Sequence, residues 1–343
     1  MAVARTSPVT LAHIAASAGV SVPTVSKVVN GRGDVAPDTR ALIEELLRQH
    51  QYVPKSTRRA LSTSTVELLI RGSFGGYVTA VIEGALRAGA DTGTSVVVSI
   101  LDEQRKQDPT PTEWANRFAT AGRTGVIVVG GDLTRAHIDA MSRAAMPLVL
   151  IDPLDTPGAE VPSVGSTNFA GGMSATQHLI ELGHRRIAYI GGPQSSGCNQ
   201  ARAHGYRAAL ESAGLESRPD YLSHEAFHYD VGRRHGGRLL DLPEPPTGIV
   251  GGCDTIAIGI MEAARVRGLR IPEDLSITGF DDIEVATVAS PPLTVIRQPL
   301  REMGRVALRS VLQLAAGATL DSHHVELATE LVVRGTTAPP VRR

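Results

Sequence analysis

The sequence predicts a small all-α head followed by an α/β body of two doubly wound parallel-sheet subdomains. Three observations predict this fold class. Apolar residues recur at helical spacing in three short segments of the first 50 residues. From about residue 65 onward, continuous apolar runs of strand length alternate with amphipathic helices, as in parallel sheets covered on both faces. The length of 343 residues exceeds one typical domain and leaves room for two sheets of about five or six strands each.

The head opens with two short predicted helices. Thr10 can cap a helix over residues 11–18, which Gly19 then breaks, as a tight turn requires. Ser21 can cap a second helix over residues 22–29. We therefore expect two helices joined by a tight turn at the start of the head.

The second helix has two different faces. Val25 and Val28 can pack against the first helix. Pro23 is tolerated in the first turn because its missing N–H is not needed there. A third helix is predicted over residues 37–49. This pattern is typical of a helix-turn-helix, with a generic three-helix bundle bearing an exposed lysine as the alternative. The outer, N-terminal face of the second helix then carries Val22, Pro23, Ser26 and Lys27.

The net charge of −1 hides an asymmetry along the chain. Residues 1–65 contain eight basic and four acidic side chains, so this part carries +4 and the remainder carries −5. A small basic head on an acidic body indicates that the head meets a polyanion, although such a charge is also found on ordinary soluble surfaces.

The composition, with 42% hydrophobic and 20% charged residues, is that of an ordinary soluble globular protein. No apolar run approaches the roughly 18 residues of a membrane span, and the N-terminus lacks the apolar core of a signal peptide. We therefore expect a cytoplasmic protein without a membrane partner. Cys198 and Cys253, the two cysteines, provide neither a disulfide framework nor a four-ligand zinc site.

The body contains strand-length apolar runs that alternate with predicted helices. They cover residues 67–70, 95–100, 125–130, 147–152, 186–192, 224–227, 247–252, 275–280 and 294–298. Ligands of parallel α/β folds bind beyond the carboxyl ends of the strands. This rule indicates a ligand site formed by the loops near Ser73, Asp152, Gly192, Cys253 and Asp281.

Patterns typical of catalysis are weak or absent. Residues 191–197, GGPQSSG, resemble a phosphate loop but lack the Gly-Lys-Ser/Thr ending of a P-loop. The histidines show no metal-ligand spacing, and neither a G-x-S-x-G elbow nor a cysteine coupled to a base is present. Asp281 and Asp282 could form a carboxylate pair, but adjacent residues at a strand end point in different directions. We expect no enzymatic activity, no metal and no cofactor.

Several long motifs, in order along the chain, resemble the LacI/GalR family of bacterial repressors. TLAHIAASAGVSVPTVSKVVNG resembles the head of that family. PSVGSTNFAGG, HLIELGHRRIAYIGGP, GYRAALESAG, LSITGFDD and SPPLTVIRQP resemble its body. The resemblance extends from about residue 9 to about residue 337 and implies a periplasmic-binding-protein-like body.

The resemblance also implies a division of the chain. We expect a helix-turn-helix DNA-binding domain over 1–54, a hinge helix or linker over 55–65, an effector-binding and dimerisation domain over 66–338, and a tail over 339–343. The body is expected to comprise an N-subdomain of about 66–166 plus 298–325 and a C-subdomain of about 167–297 plus 326–338.

In the head, the resemblance assigns DNA contacts position by position. The positions that hold the family's head on phosphates are matched by Thr10, Ser21, Thr24, Ser26 and Asn30. The base-reading positions are matched by Val22, Pro23 and Lys27. Lys27 can donate to guanine O6 and N7, whereas Val22 and Pro23 offer only apolar contact.

The family's hinge follows Tyr52, which is also expected to contact DNA. Leu61 matches the leucine that wedges into the minor groove at the centre of the operator and kinks the duplex. Lys55 and Arg58 depart from the usual pattern, since Asn and a small alanine are common there. Their added charge can strengthen phosphate contact, and Arg58 puts the usual preference at the central step in doubt.

In the body, the resemblance assigns the effector-binding residues. Arg202 matches an arginine that pairs with ligand hydroxyls or a carboxylate. Phe227 matches an aromatic residue that stacks on the effector ring, and Asp281 matches an acidic residue that accepts hydrogen bonds from ligand hydroxyls. Further candidates are Ser73, Phe74, Tyr77, Asp152 and Asn168.

At the expected effector site, Cys253 departs from the family's pattern, and the adjacent Asp254 has two interpretations. Cys253 stands where many relatives carry an asparagine, so one polar contact is lost or replaced. Asp254 can supply that contact, or it can cap the helix that follows.

The resemblance therefore implies a homodimeric repressor of carbohydrate-use genes that a small sugar releases from a pseudo-palindromic operator. Its partners are double-stranded operator DNA, the effector and a second copy of the chain, in the bacterial cytoplasm at the nucleoid. Effector binding is expected to close the two lobes and to melt the hinge helices, an order–disorder switch. A regulator with a purine-like corepressor and reversed logic is one alternative. The other, less favoured, is a cytoplasmic sugar-binding protein without regulation.

Overall fold

The computed structural model describes residues 11–29, 35–49, 64–71, 74–101, 110–131, 133–153 and 161–341. The chain forms two compact units, a head within residues 1–63 and a body within residues 64–343. Each unit is built around its own apolar core, and each is taken separately below.

The head consists of helices α1 (Leu11–Ala18), α2 (Val22–Val29) and α3 (Pro37–Gln49). These bounds confirm the three helices that the sequence predicts. Gly19 has a φ of 67°, the left-handed conformation that ends α1. Ser21 caps α2, because its Oγ accepts the Thr24 N–H at 3.3 Å. Ile14, Val25 and Ile43 are fully buried where the three helices meet.

The described part of the body contains twelve strands. They are β1 (Thr65–Arg71), β2 (Ser95–Leu101), β3 (Gly125–Val129), β4 (Leu148–Ile151), β5 (Ser163–Ser166), β6 (Ile187–Gly191), β7 (Leu222–His224), β8 (Gly248–Gly251), β9 (Ser276–Asp281), β10 (Thr294–Arg297), β11 (His324–Leu327) and β12 (Glu330–Val332).

The helices of the body lie between these strands. They are α4 (Gly76–Thr92), α5 (Pro111–Thr120), α6 (Arg135–Arg143), α7 (Asn168–Glu181), α8 (Gly197–Ser212), α9 (Tyr229–Leu240), α10 (Asp254–Val266), α11 (Glu284–Val288) and α12 (Leu300–Ala315), with a 3₁₀ turn at Pro219–Tyr221.

The strands form two six-stranded sheets, which confirms the predicted fold class. The first sheet has the order β11-β5-β4-β3-β1-β2 and is parallel throughout. The second has the order β12-β10-β9-β8-β6-β7, with β12 antiparallel to β10 and the others parallel. We call the first sheet with α4, α5, α6 and α12 the N-lobe, and the second sheet with α7 to α11 the C-lobe. The chain crosses between the lobes near residues 167, 298 and 328.

Three strands were not predicted, and one prediction was misplaced. The run at 224–227 is not the strand, because β7 covers Leu222–His224 and only reaches the edge of the sheet. The strands β5, β11 and β12 were missed because they are short and contain no continuous run of buried positions. Their pairing therefore depends on the rest of the sheet and not on a continuous apolar run.

Three helix pairs of the body cross where glycines face each other. In the N-lobe, a Cβ at Gly84 of α4 would lie 1.8 Å from the carbonyl oxygen of Arg301 on α12. No side chain fits in that space, so the two helix backbones are in direct contact. The facing pairs are Gly84 and Gly304, Gly172 and Gly205, and Gly232 and Gly259.

Among the described residues, no helix has the length and apolar character needed to cross a membrane.

Candidate functional site

Two carboxylates from different lobes stand at the carboxyl ends of their strands. Asp152 follows β4 of the N-lobe, and Asp281 ends β9 of the C-lobe. Their φ angles are 42° and 113°, conformations that non-glycine residues adopt only when the surroundings hold them. Both carboxyls lie within electrostatic range of Arg202, which α8 carries. The structure therefore brings these three predicted effector residues to one place.

Arg202 is held by several contacts and is only 3% exposed. Its Nε donates to Asn168 Oδ1 at 2.7 Å, and its Nη1 donates to the Gly252 carbonyl at 2.7 Å. The same Nη1 lies 3.7 Å from Asp281 Oδ1. The guanidinium carbon lies 3.8 Å from the centre of the Phe280 ring, which adds a cation–π contact. These contacts fix the orientation of the guanidinium.

Asp281 is connected to the N-lobe through Gln298, which the sequence did not single out. Gln298 Nε2 donates to Asp281 Oδ1 at 2.6 Å, and Ser166 Oγ donates to Gln298 Oε1 at 2.6 Å. Burial raises the pKa of Asp281 to about 6, despite the opposing effects of Arg202 and of the Gln298 hydrogen bond. Gln298 is the second-last residue of the motif SPPLTVIRQP and directly follows β10, so a polar residue after a strand was the signal that could have found it.

Tyr77 and Asp152 form a second hydrogen-bonded pair beside this cluster. The Tyr77 hydroxyl donates to Asp152 Oδ2 at 2.6 Å. Burial, and then the charge of Asp152, raise the pKa of Tyr77 well above its usual value, so the phenol keeps the proton that it donates. Burial also raises the pKa of Asp152. The sequence suggested both residues as effector contacts but not that they contact each other.

The remaining pocket candidates differ in their surroundings. Phe227 is partly buried, with its ring centre 6.0 Å from the Arg202 guanidinium carbon, and it lies over Gly192. Phe74 is 57% exposed. Cys253 is buried, and burial raises the pKa of its thiol. Cys198, for which no role was predicted, lies within electrostatic range of Arg202, and burial raises the pKa of its thiol too.

Asp254 is fully buried at the first turn of α10. Its Oδ2 accepts the backbone N–H of Ile283 at 2.8 Å, so it holds the loop that follows Asp281. Burial, and then the charge of Asp281, raise the pKa of Asp254 well above its usual value. Burial therefore disfavours the charged form of this carboxyl.

An Asp254→Asn variant is expected to have nearly the unfolding free energy of the parent, because the amide is neutral and its oxygen can accept the Ile283 N–H. Asp254→Ala leaves that N–H without its partner and should lower the unfolding free energy by about 1–3 kcal/mol. Urea denaturation followed by circular dichroism measures both. Equal losses in the two variants would show that a charged carboxylate is required.

In the head, the outer face of α2 is open to solvent at its N-terminal end. Val22 is 42% exposed, and Ser21 and Pro23 are exposed as well. Thr24, Ser26 and Lys27 are partly exposed, while Val25 and Val28 face the core. The candidates that lie outside the described residues are Thr10, Asn30, Tyr52, Arg58, Leu61 and Ser73.

A helical head with one exposed helix face, and a two-lobed body with a buried polar cluster at the carboxyl ends of its strands, define a class: ligand-responsive DNA-binding regulators. The model of the bacterial regulatory proteins of the lacI family matches residues 10–55. The model of the periplasmic binding protein-like domain matches residues 176–337. Comparison with individual relatives identifies the family within this class.

Catabolite control protein A of Priestia megaterium is 30% identical to this chain, over 96% of this chain and 99% of that protein. A solved complex of the transcriptional regulator CelR with cellobiose has a TM-score of 0.73 at 31% identity, covering 95% of this chain and 99% of that one. The lac repressor dimer bound to operator and an anti-inducer has a TM-score of 0.77 at 26% identity, covering 97% and 100%. The chain belongs to the LacI family of bacterial transcriptional regulators, as the sequence motifs predicted.

Proposed function

We propose that this protein is a homodimeric, sequence-specific repressor of carbohydrate-use genes that a small sugar releases from a pseudo-palindromic operator. The observation that carries the proposal is the buried polar cluster around Arg202, at the carboxyl ends of strands from both lobes, in a chain that also has a helix-turn-helix head. Operator and effector then compete by linkage: a sugar that weakens operator binding is itself bound more weakly on the operator. Such regulation needs no catalytic step, and the protein acts on nucleoid DNA in the cytoplasm.

The chemistry of the pocket supports a sugar as the effector. Asp281 and Asp152 offer acceptors, Arg202 and Tyr77 carry donors, and Phe227 offers an apolar ring face beside them. Alternating donors and acceptors around an aromatic surface suit a ring with many hydroxyl groups. CelR, a relative of similar structure, was solved with cellobiose, which supports the same ligand class here.

The edge of the N-lobe supports a second copy of the chain as a partner. In the described part of the first sheet, β2 pairs only with β1, so its outer edge is open. Val98 and Ile100 on this strand are 38% and 59% exposed, and Leu86 on the neighbouring α4 is 46% exposed. An apolar edge strand is a ready surface for association. The lac repressor, a relative of similar structure, was solved as a dimer on its operator.

The proposal is tested by a gel-shift assay with the DNA upstream of the gene itself, with and without mono- and disaccharides and with purines. We expect a specific shift that one of the sugars abolishes. A shift that appears only with a purine would reverse the logic and favour a corepressor. Sugar binding by calorimetry without any specific shift would favour a sugar-binding protein that does not regulate.

For the head, Lys27→Ala is expected to relax the base preference at one position of each half-site and to weaken binding to the preferred operator by about 1–3 kcal/mol. The reason is that Lys27 is the member of the Val22, Pro23 and Lys27 set whose side chain can donate to a base edge. Binding titrations against operators with each base at every half-site position measure the change.

Arg48→Ala is the control for Lys27→Ala. It removes one positive charge from the same unit, at a side chain on α3 that is 76% exposed and paired with Glu45. We expect this control to preserve the order of preference among operators. An equal loss for Lys27→Ala on all sequences would count against direct base reading.

A further inference from the structure

Ile283 belongs to the C-lobe chain, but its side chain packs against the N-lobe core. It lies two residues after Asp281 and contacts the apolar cluster formed by α4, α12 and the first sheet. The Ile283 side chain packs on Gly76, the first residue of α4. A Cβ at Gly76 would lie 2.9 Å from Ile283 Cδ1 and 3.2 Å from Ile283 Cβ. Only the absence of a side chain at residue 76 allows this approach.

The C-lobe side of this contact is held rigidly. Asp254, which is fully buried, accepts the Ile283 N–H at 2.8 Å and so ties the loop to the start of α10. A cavity of about 730 Å³ opens beside the contact, lined by both lobes and including Gly76 and Ile283 in its wall. The two lobes are therefore separated by this cavity along part of their interface. The apolar side chain of Ile283 makes a contact between the lobes beside it.

Each half of the contact is joined to the effector pocket by one or two residues of chain. Tyr77, next to Gly76, donates to Asp152, and Asp281 precedes Ile283 by two residues. By contrast, Gln298 lies in a segment that crosses between the lobes, so its bonds to Ser166 and Asp281 stay close to the hinge. A movement that parts the lobes must instead pull Ile283 off Gly76.

We infer that Ile283, seated on Gly76 and held by Asp254, is a latch that couples the effector pocket to the closure of the lobes. The inference rests on the proposed function and adds to it the contact through which the pocket acts on the N-lobe. A ligand that contacts Asp281 and the Tyr77–Asp152 pair draws together the two chain segments that carry the latch. Holding Ile283 on Gly76 should therefore have the same effect on lobe closure as binding the effector.

The latch can be closed covalently. A Gly76→Cys and Ile283→Cys pair has Cβ atoms near the 3.5–4.5 Å that a disulfide requires, so only a small shift is needed. Replacing Ile283 also removes the Cδ1 atom that a Cβ at residue 76 would meet. Mass spectrometry reports whether the bond forms. Cys198 and Cys253 are kept in every variant, and the two single-cysteine variants and a Gly76→Ser, Ile283→Ser pair are the matched controls.

Operator binding to the gene's own upstream DNA is then measured for the oxidised and the dithiothreitol-reduced protein without any sugar. We expect the oxidised pair to bind at least tenfold more weakly than its reduced form, with no redox effect in the controls. Equal or tighter binding by the oxidised form, or failure of the disulfide to form, would overturn the latch. If the wild-type protein does not bind the DNA specifically, the proposed function fails and the latch fails with it.

Discussion

Replacing Arg202 with alanine is expected to lower the free energy of unfolding of the body by about 3–5 kcal/mol and to abolish the response of operator binding to sugar. The guanidinium is 3% exposed and donates to Asn168 Oδ1 and to the Gly252 carbonyl. Without it, these acceptors lose a donor, and the carboxylate of Asp281 is left buried without its cation. Urea denaturation and a sugar titration of the operator complex measure the two effects.

The head is a separate compact unit, so Arg202→Ala should still bind operator below the unfolding transition of the body. Arg207→Ala is the control, since Arg207 is only partly buried and lies on the same helix. We expect it to change stability by no more than about 0.5 kcal/mol. Arg202→Lys keeps the charge but loses the planar fork, so it should regain part of the stability and little of the response. A folded Arg202→Ala protein that sugar releases normally would exclude Arg202 from the effector site.

Gly84→Ala is expected to lower the free energy of unfolding by about 3 kcal/mol, because it adds a methyl group where none fits. The new Cβ would lie 1.8 Å from the Arg301 carbonyl oxygen and 2.6 Å from its carbon. These are backbone atoms of α12, which cannot rotate away as a side chain can, so the two helices must separate. Since α4 begins at Gly76 and Tyr77, the separation also reaches the pocket.

The control for Gly84→Ala is Gly75→Ala, at the N-cap of the same helix. Gly75 has no atom within 4 Å of an added Cβ, and its φ of −128° suits any residue. The loss of a favourable cap residue and the stiffer unfolded chain oppose each other, so we expect a change within about 1 kcal/mol. Thermal and urea denaturation of both variants give the comparison. A Gly84→Ala protein as stable as Gly75→Ala would mean that α4 and α12 are not in backbone contact.

Local patterns account for the parts of the fold that could be predicted. The three helices of the head follow from apolar spacing, from Gly19 and from the cap at Ser21, all of which act within one or two turns. The central strands of both sheets follow from continuous apolar runs. The strands β5, β11 and β12 could not be predicted in this way, because their position is set by a neighbouring strand far away in the chain.

For the candidate site, the resemblance to a known family named Arg202, Asp152 and Asp281, but it did not describe how they are held. Tyr77 contacts Asp152 across 75 residues, and Ser166 contacts Gln298 across 132. No periodicity in the sequence encodes such distances. Tyr77 and Asp152 are brought together within the N-lobe. The bond between Ser166 and Gln298 lies where the chain crosses between the lobes, and Gln298 became visible only there.

The sequence by itself determined the class of this protein: a basic helix-turn-helix head, a body of two parallel sheets, and a family membership carried by motifs in order. It left the role of Asp254 open between a ligand contact and a helix cap. The tertiary structure showed that Asp254 accepts the Ile283 N–H, and that the Ile283 side chain packs on Gly76 of the other lobe. The physical reason is that helices form from interactions among near neighbours and central strands are marked by their own apolar runs, whereas a contact between lobes depends on how two finished units meet.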